Sequence, residues 1–225
     1  KSADVMDLLA TVDMHGIQTS GNCIRNITTD ELAGVAVDEV VDPRPYAEIL
    51  RQWSTLHPEF AFLPRKFKIA ITGAKEDRAA IGWHDVGLQL VKNTNGEVGF
   101  KIWVGGGMGR TPIIGTLVRE FLSWQQIMNY LEAVVRVYNR WGRRDNLYKA
   151  RIKILVKAEG QRYIDEVEAE FKDVVNKDGG PHTISQAEFD RVAACFVEPP
   201  APAYTAASDQ SKLQDPAFQR WLHQN

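Results

Sequence analysis

Two strand-like runs, DVGLQLVKN (Asp85 to Asn93) and EVGFKIWVGGG (Glu97 to Gly107), are joined through NTNG, Asn93 to Gly96. An Asn-Gly pair at such a junction supplies the positive backbone φ that a tight hairpin demands. This part of the chain is therefore constrained to antiparallel sheet. A third strand candidate, KFKIAITG (Lys66 to Gly73), precedes it. Phe67, Ile69 and Ile71 share one face there, while Lys66, Lys68, Ala70 and Thr72 share the other.

Helical signals surround these strands. SADVMDLLATVDMHG places Val5, Leu8, Leu9 and Val12 at helical spacing, with Ser2 as cap and Gly16 as stop. NCIRNITT alternates, with Cys23, Arg25 and Ile27 on one side and Ile24 and Asn26 on the other. PRPYAEILRQWSTLHPEF predicts a helix with Pro45 in its first turn and an apolar stripe of Tyr46, Ile49, Leu50 and Trp53. After the hairpin comes a long helix with stripe Ile127, Tyr130, Leu131, Val134, Tyr138 and Trp141, its start marked by the capping-box pair Ser123 and Gln126. Further helices are expected near Leu147 to Ala158 and Arg162 to Val175. The segment VEPPAPAYTAASDQSKLQDP reads as a Pro/Ala-rich linker. The order implies an α+β (mixed α/β) fold, a small mixed sheet of about four or five strands covered by helices.

The 225 residues suffice to bury a core, and the net charge of −2 argues against a generally basic nucleic-acid binder. Any cationic site must be local. No apolar run of about 18 residues is present, so no membrane association is expected and a cytoplasmic location is. The two cysteines, Cys23 and Cys195, form no CxxC motif and fall short of the four thiolates an iron–sulfur cluster normally takes. The five histidines show no metal-ligand spacing, so no metal ligands are assigned. The absence of a starting Met and the abrupt end lead to the expectation of a piece cut from a longer polypeptide.

Three elements could carry chemistry. Arg65, Lys66 and Lys68 crowd one strand entrance, and same-face neighbours on a strand lie roughly 7 Å apart, so Lys66 and Lys68 repel each other. They form either a solvated strand end or an anion site. WVGGGMGRTP sets Gly105, Gly106 and Gly107 directly after a strand, followed by Gly109 and Arg110: either a tight turn or a loop whose amides cradle an anion. It matches neither a Walker loop nor a complete dinucleotide fingerprint. Arg25, inside an alternating strand, needs a counter-charge, from a salt bridge or from a ligand. The run Arg136 to Lys157 holds eight basic residues and one acid, Asp145, and reads as a solvated helical face or a docking face for an acidic partner. His84 and Asp85 in GWHDVG are read as a strand entrance rather than an acid–base pair.

NCIRNI, LPRKFKIAITG and VGGGMGRTP, in that order and followed by RWGRRDNLYKAR, resemble the sirohaem-dependent sulfite and nitrite reductases from about Ser20 to Phe171. The resemblance implies a haemoprotein built of ferredoxin-like half-domains and two α/β modules, of which this chain is the first. Residues 1–19 would end a preceding half-domain, 20–175 would form the module facing sirohaem and substrate, and 176–225 would lead toward a further part. It implies that Arg25, Lys66 and Lys68 bind the substrate anion and supply protons. Arg65, Asn26, Gly105, Gly106, Gly107 and Arg110 would lie near the sirohaem periphery. The expected cofactors are sirohaem and, in the whole protein, a [4Fe–4S] cluster whose cysteines are absent here, as is the family's further T-x-R arginine. Electrons would come from ferredoxin or a flavoprotein subunit. Lys68 points to sulfite, since the nitrite enzymes of the family tend toward asparagine at that position. The competing readings are a nitrite reductase, a non-catalytic anion- or nucleotide-binding module, and a scaffold piece docking through its basic run.

Overall fold

The structure, a computed structural model, describes residues 1–197 and 214–224; most of the expected Pro/Ala-rich linker lies outside the described residues. One five-stranded sheet organises the chain, in the order β1 (Ile24–Thr28), β2 (Phe67–Thr72), β3 (Val86–Lys92), β4 (Val98–Val104) and β5 (Thr116–Ser123). The first three strands run parallel and the last two antiparallel, which gives the mixed α+β sheet the sequence implies. The hairpin falls where NTNG puts it: Gly96 has φ of 82° and Lys92 pairs with Val98. Parallel neighbours need a crossover. The β1–β2 crossover carries α2 (Arg44–Thr55), and the β2–β3 crossover a short 3₁₀ turn, Ile81–Trp83.

The main helix α3 (Ile127–Trp141) buries the expected Ile127, Tyr130, Leu131, Val134 and Tyr138. It is also buried well beyond one stripe, because α5 (Gln161–Asn176) covers its other side. Tyr163 of α5 donates through its hydroxyl to the Val134 carbonyl at 3.0 Å. Two polar groups of α3, Asn129 and Glu132, are also taken out of water, against Thr183 and His182 and against His57. Between these helices lies α4 (Ile152–Glu159), and α6 (Gln186–Ala193) packs on α2. α1 (Ser2–Ala10) and α7 (Pro216–Gln224) bury no residue.

Several local expectations are corrected. Ser2 is the first helical residue of α1, not its cap, and the helix stops at Ala10, well before Gly16. Ser123 caps nothing: it ends β5, a 3₁₀ turn Trp124–Gln126 intervenes before α3, and its hydroxyl is held by the Gln125 side chain. The lysine-bearing face of β2 is not polar along its length, since Ala70 and Thr72 are completely buried; only the entrance at Lys68 opens to solvent. The run Arg136 to Lys157 is not one solvated face. Arg136 contacts Glu59, Glu132, Glu170 and Asp178, Arg140 contacts Glu166 and Glu170, and Arg143 contacts Asp145. With Arg151 paired to Asp85, half of its eight basic residues are committed to this chain's own acids.

Candidate anion-binding site

The register of the parallel pair builds the site. Ile69 lies opposite Val86, which sets Asp85, just before β3, beside Lys68 at the entrance of β2. Asp85 is fully buried, and its carboxylate accepts three hydrogen bonds: from the Lys68 backbone N–H at 2.9 Å, and from Arg151 Nε and Nη2 at 3.1 and 2.7 Å. A bidentate guanidinium and an amide together satisfy a buried carboxylate. Asp85 also locks the glycine loop, since its carbonyl accepts from Gly105 N–H at 2.9 Å.

Lys66, Lys68, Trp83, His84, Asp85, Met108, Gly109 and Arg151 enclose an open cleft of about 390 Å³. Lys66 is half-buried and Lys68 exposed. Among the described residues neither ammonium has a hydrogen-bond or ion-pair partner. Burial first, then the neighbouring charges of Lys68, Arg151, Arg25 and Arg65, push the Lys66 ammonium below the ordinary lysine range. Four cations thus act on Lys66 here, and the nearby carboxylate, Asp85, is already engaged by Arg151.

Lys66 and Lys68 both line the cleft. Arg25 stands behind them, its Nε donating to the Gly21 carbonyl and its Nη1 to that of Thr19, both at 2.9 Å. Among the described residues Arg25 has no ion pair, so the internal salt bridge considered for it is not formed. Arg65 reaches Lys66 by charge alone, and Asn26 and Arg110 are exposed and not among the lining residues.

The glycines at 105, 106 and 107 answer to packing. A Cβ on Gly106 would stand 2.4 Å from the Gly82 carbonyl oxygen and 2.5 Å from that of His84. On Gly107 it would meet Lys153 Cδ at 2.8 Å and Arg151 Nη2 at 3.0 Å. The Gly105 and Gly107 amides are spent on Asp85 and Ile113 carbonyls. Lys153 fastens the loop from beneath, donating to the carbonyls of Gly107, Met108 and Thr111 at 3.4, 3.0 and 2.5 Å.

Asp85 was read from the sequence only as part of a strand entrance, and Arg151 and Lys153 were not singled out. An acid directly before an apolar strand, and two cations two apart after the RWGRRDNLYKA run, were the available signals.

The cleft fits an anionic group, with two unpartnered ammonium groups, a guanidinium and His84 on its wall. The chain does not fit an iron–sulfur cluster, which takes four thiolates, because Cys23 and Cys195 are its only cysteines.

With this geometry in view, the chain can be set beside known proteins. Over 172 residues it is 33% identical to a protein named sulfite reductase [ferredoxin] 1 of Mycolicibacterium paratuberculosis, covering 75% of this chain and 31% of that one. It is 30% identical over 176 residues to the assimilatory ferredoxin-dependent nitrite reductase of Haloferax mediterranei, covering 76% of this chain and 30% of that one. The solved structure of the Mycobacterium tuberculosis NirA protein superposes with a TM-score of 0.66 at 30% identity, covering 79% of this chain and 31% of the other. The chain spans less than a third of the length of these relatives. Residues 20–174 match the profile of the nitrite and sulphite reductase 4Fe-4S domain, and the chain belongs to that family.

Proposed function

We propose that this chain supplies the anion-binding wall of a sirohaem-dependent sulfite reductase, with Lys66 and Lys68 holding the substrate oxygens and Arg25 reinforcing their field. The observation that carries the reading is the pair of ammonium groups left without protein partners in one cleft, where Lys68, Arg151, Arg25 and Arg65 act on Lys66 as like charges. A bound anion relieves that repulsion, and Asp85, already committed to Arg151 and the Lys68 amide, does not.

Sulfite reduction removes oxygen as water, and each departing oxygen must be protonated. An ammonium donates well when its pKa is drawn toward the working pH, and the crowding of Lys66 acts in that direction. Lys68 and Arg151 would hold the anion's charge while Lys66 donates, a division of positioning and proton transfer among fixed groups. Sirohaem, when bound, would supply the iron that ligates the anion and passes on electrons. Arg65, Asn26, Arg110 and the Gly105–Gly107 loop would then face its periphery. The [4Fe–4S] cluster would be held by cysteines of another part of the whole protein, and ferredoxin would be the electron donor. Nitrite remains the second reading, favoured by the match to the Haloferax nitrite reductase; Lys68 favours sulfite.

The test uses the whole reductase polypeptide that carries this module, comparing Lys66→Ala and Lys68→Ala with wild type. The expected result is an unchanged sirohaem absorption spectrum with sulfide production reduced by roughly 100-fold or more. Variants that reduce sulfite normally, or a parent protein without tetrapyrrole, would overturn the reading. Ammonia from nitrite with no sulfide from sulfite would select the second reading.

A further inference from the structure

A second cluster lies apart from the cationic cleft and shares no residue with it. Glu132 of α3, 1% exposed, divides its carboxylate between two environments. Oε1 accepts from Arg136 Nε at 3.0 Å. Oε2 lies 3.2 Å from His57 Nε2 and 3.9 Å from His182 Nε2, yet is buried with no hydrogen bond of acceptable geometry. The three potential ligand atoms all lie within 4.8 Å of one another. They come from three elements: the turn after α2, helix α3, and the loop between α5 and α6.

From this arrangement we infer that His57, Glu132 and His182 form a binding site for one divalent transition ion of the zinc class. Two atoms each about 2.1 Å from a tetrahedral ion are about 3.4 Å apart, and the separations of 3.2 and 3.9 Å bracket that value. A water would complete the coordination. The ion would bind an Oε2 that is buried without a well-formed hydrogen bond and whose nearest protein group is the His57 Nε2 at 3.2 Å.

Two further observations agree. Local charge is negative, since five carboxylates (Glu59, Glu132, Glu166, Glu170 and Asp178) contact only two guanidiniums, Arg136 and Arg140. The surroundings are also ordered by aromatic walls: Phe60 stacks on the His57 ring at 3.9 Å, and Trp53 stands 5.6 Å from each imidazole. Coordination through Nε2 requires the Nδ1–H form of His57, so the 3.3 Å bond that His57 Nδ1 accepts from Glu59 N–H is given up and the turn Pro58–Phe60 must shift to part the two N–H groups. Bridging three elements, the ion would act as a staple on the helical side of the fold.

The experiment titrates Co²⁺, and separately Zn²⁺, into the chelator-treated 225-residue chain. The expected result is one ion per chain with tetrahedral Co²⁺ d–d bands, no thiolate charge-transfer band, and a Zn²⁺-dependent rise in melting temperature. His57→Gln and His182→Gln each weaken affinity by about 10-fold or more and abolish the thermal response. His182 is in a loop, so its variant tests the site even if changes at Glu132 prevent folding. No binding in wild type, or equal binding in the His57→Gln/His182→Gln double variant, overturns the inference. A thiolate band would do the same by assigning the ion to Cys23 or Cys195.

Discussion

Asp85 is the residue on which stability and the cleft depend together, and its replacement should move them in opposite directions. Removing the carboxylate in Asp85→Ala leaves Arg151 without its counter-charge beside Lys66 and Lys68, and leaves the Lys68 N–H without an acceptor. Breaking a fully buried ion pair costs about 3–5 kcal/mol, and a stranded amide adds about 1–3 kcal/mol. Arg151 keeps 18% of its side-chain surface, so water recovers part of this; a net loss of about 3 kcal/mol is expected. Asp85→Asn retains the shape but offers a single acceptor oxygen for three donors, and should cost about 1–2 kcal/mol. The Asp85→Ala/Arg151→Ala double variant should be less destabilised than the sum of the singles, with a coupling of about 1–3 kcal/mol. Urea unfolding with linear extrapolation measures all three. Sulfite binding to the folded Asp85→Asn protein should strengthen, because the cleft gains a positive charge. An Asp85→Ala cost below about 1 kcal/mol, an additive double variant, or weaker anion binding in Asp85→Asn would refute the role assigned to this carboxylate.

Two other outcomes follow from the same geometry. Gly106→Ala forces a methyl against the backbone oxygens of Gly82 and His84, which cannot swing aside as a side chain could, so unfolding should become easier by about 1–3 kcal/mol or more; a neutral effect in denaturant titration would contradict the packing account of this glycine. An anion held by Lys66 as proposed would need its cationic form, and burial and the neighbouring cations lower its pKa, so affinity should be complete at low pH and lost as pH rises through a value below that of free lysine; Lys68→Met removes one repulsion and should raise the Lys66 titration, read by NMR of ¹³C-methylated lysines, and a Lys66 that titrates at or above the free value would refute the crowding.

The sheet was legible where side-chain pattern and burial agree. β2, β3 and β4 lie in the interior of the sheet and are rich in β-branched and aromatic residues, and NTNG fixes the hairpin. β5 was not found because it is an edge strand with bulged register against β4 and mostly partial burial, which blurs its alternation. The two capping-box patterns show what one sequence cannot weigh. Ser123 with Gln126 looks like a cap but belongs to a strand, whose hydrogen bonds take precedence, whereas Ser185 with Glu188, not remarked in the sequence, forms a true cap with Ser185 Oγ accepting from Glu188 N–H at 3.1 Å. The Lys66 and Lys68 pair was legible as an unusual cation density. Asp85 and Arg151 were not, because their meaning depends on the β2–β3 register and on the placement of α4, both products of tertiary packing. The His57, Glu132 and His182 group was invisible for the same reason: its members are remote in sequence and meet only when the segments flanking α2 and α6 close on α3.

The two clusters illustrate how buried charge can be separated into structural and functional parts. A fold that needs only stability gains little from cations gathered around one carboxylate, since repulsion among Arg25, Arg65, Lys66, Lys68 and Arg151 opposes compaction. Elsewhere several arginines are paired with acids: Arg119 with Glu168, Arg136 and Arg140 with the acids of α5, and Arg78 with Asp38. At the β2 entrance the pairing stops after Arg151, and the two lysines are left facing an open cleft. Asp85 explains why this departure does not unravel the strand end. By taking the Lys68 amide, the Arg151 guanidinium and the Gly105 amide, it holds the backbone beneath the lysines rigid while leaving their ammonium groups free for a ligand. Neutralising the lysines should therefore stabilise the empty module even as it abolishes anion binding, and that opposition of sign separates a binding site from a solvated strand end.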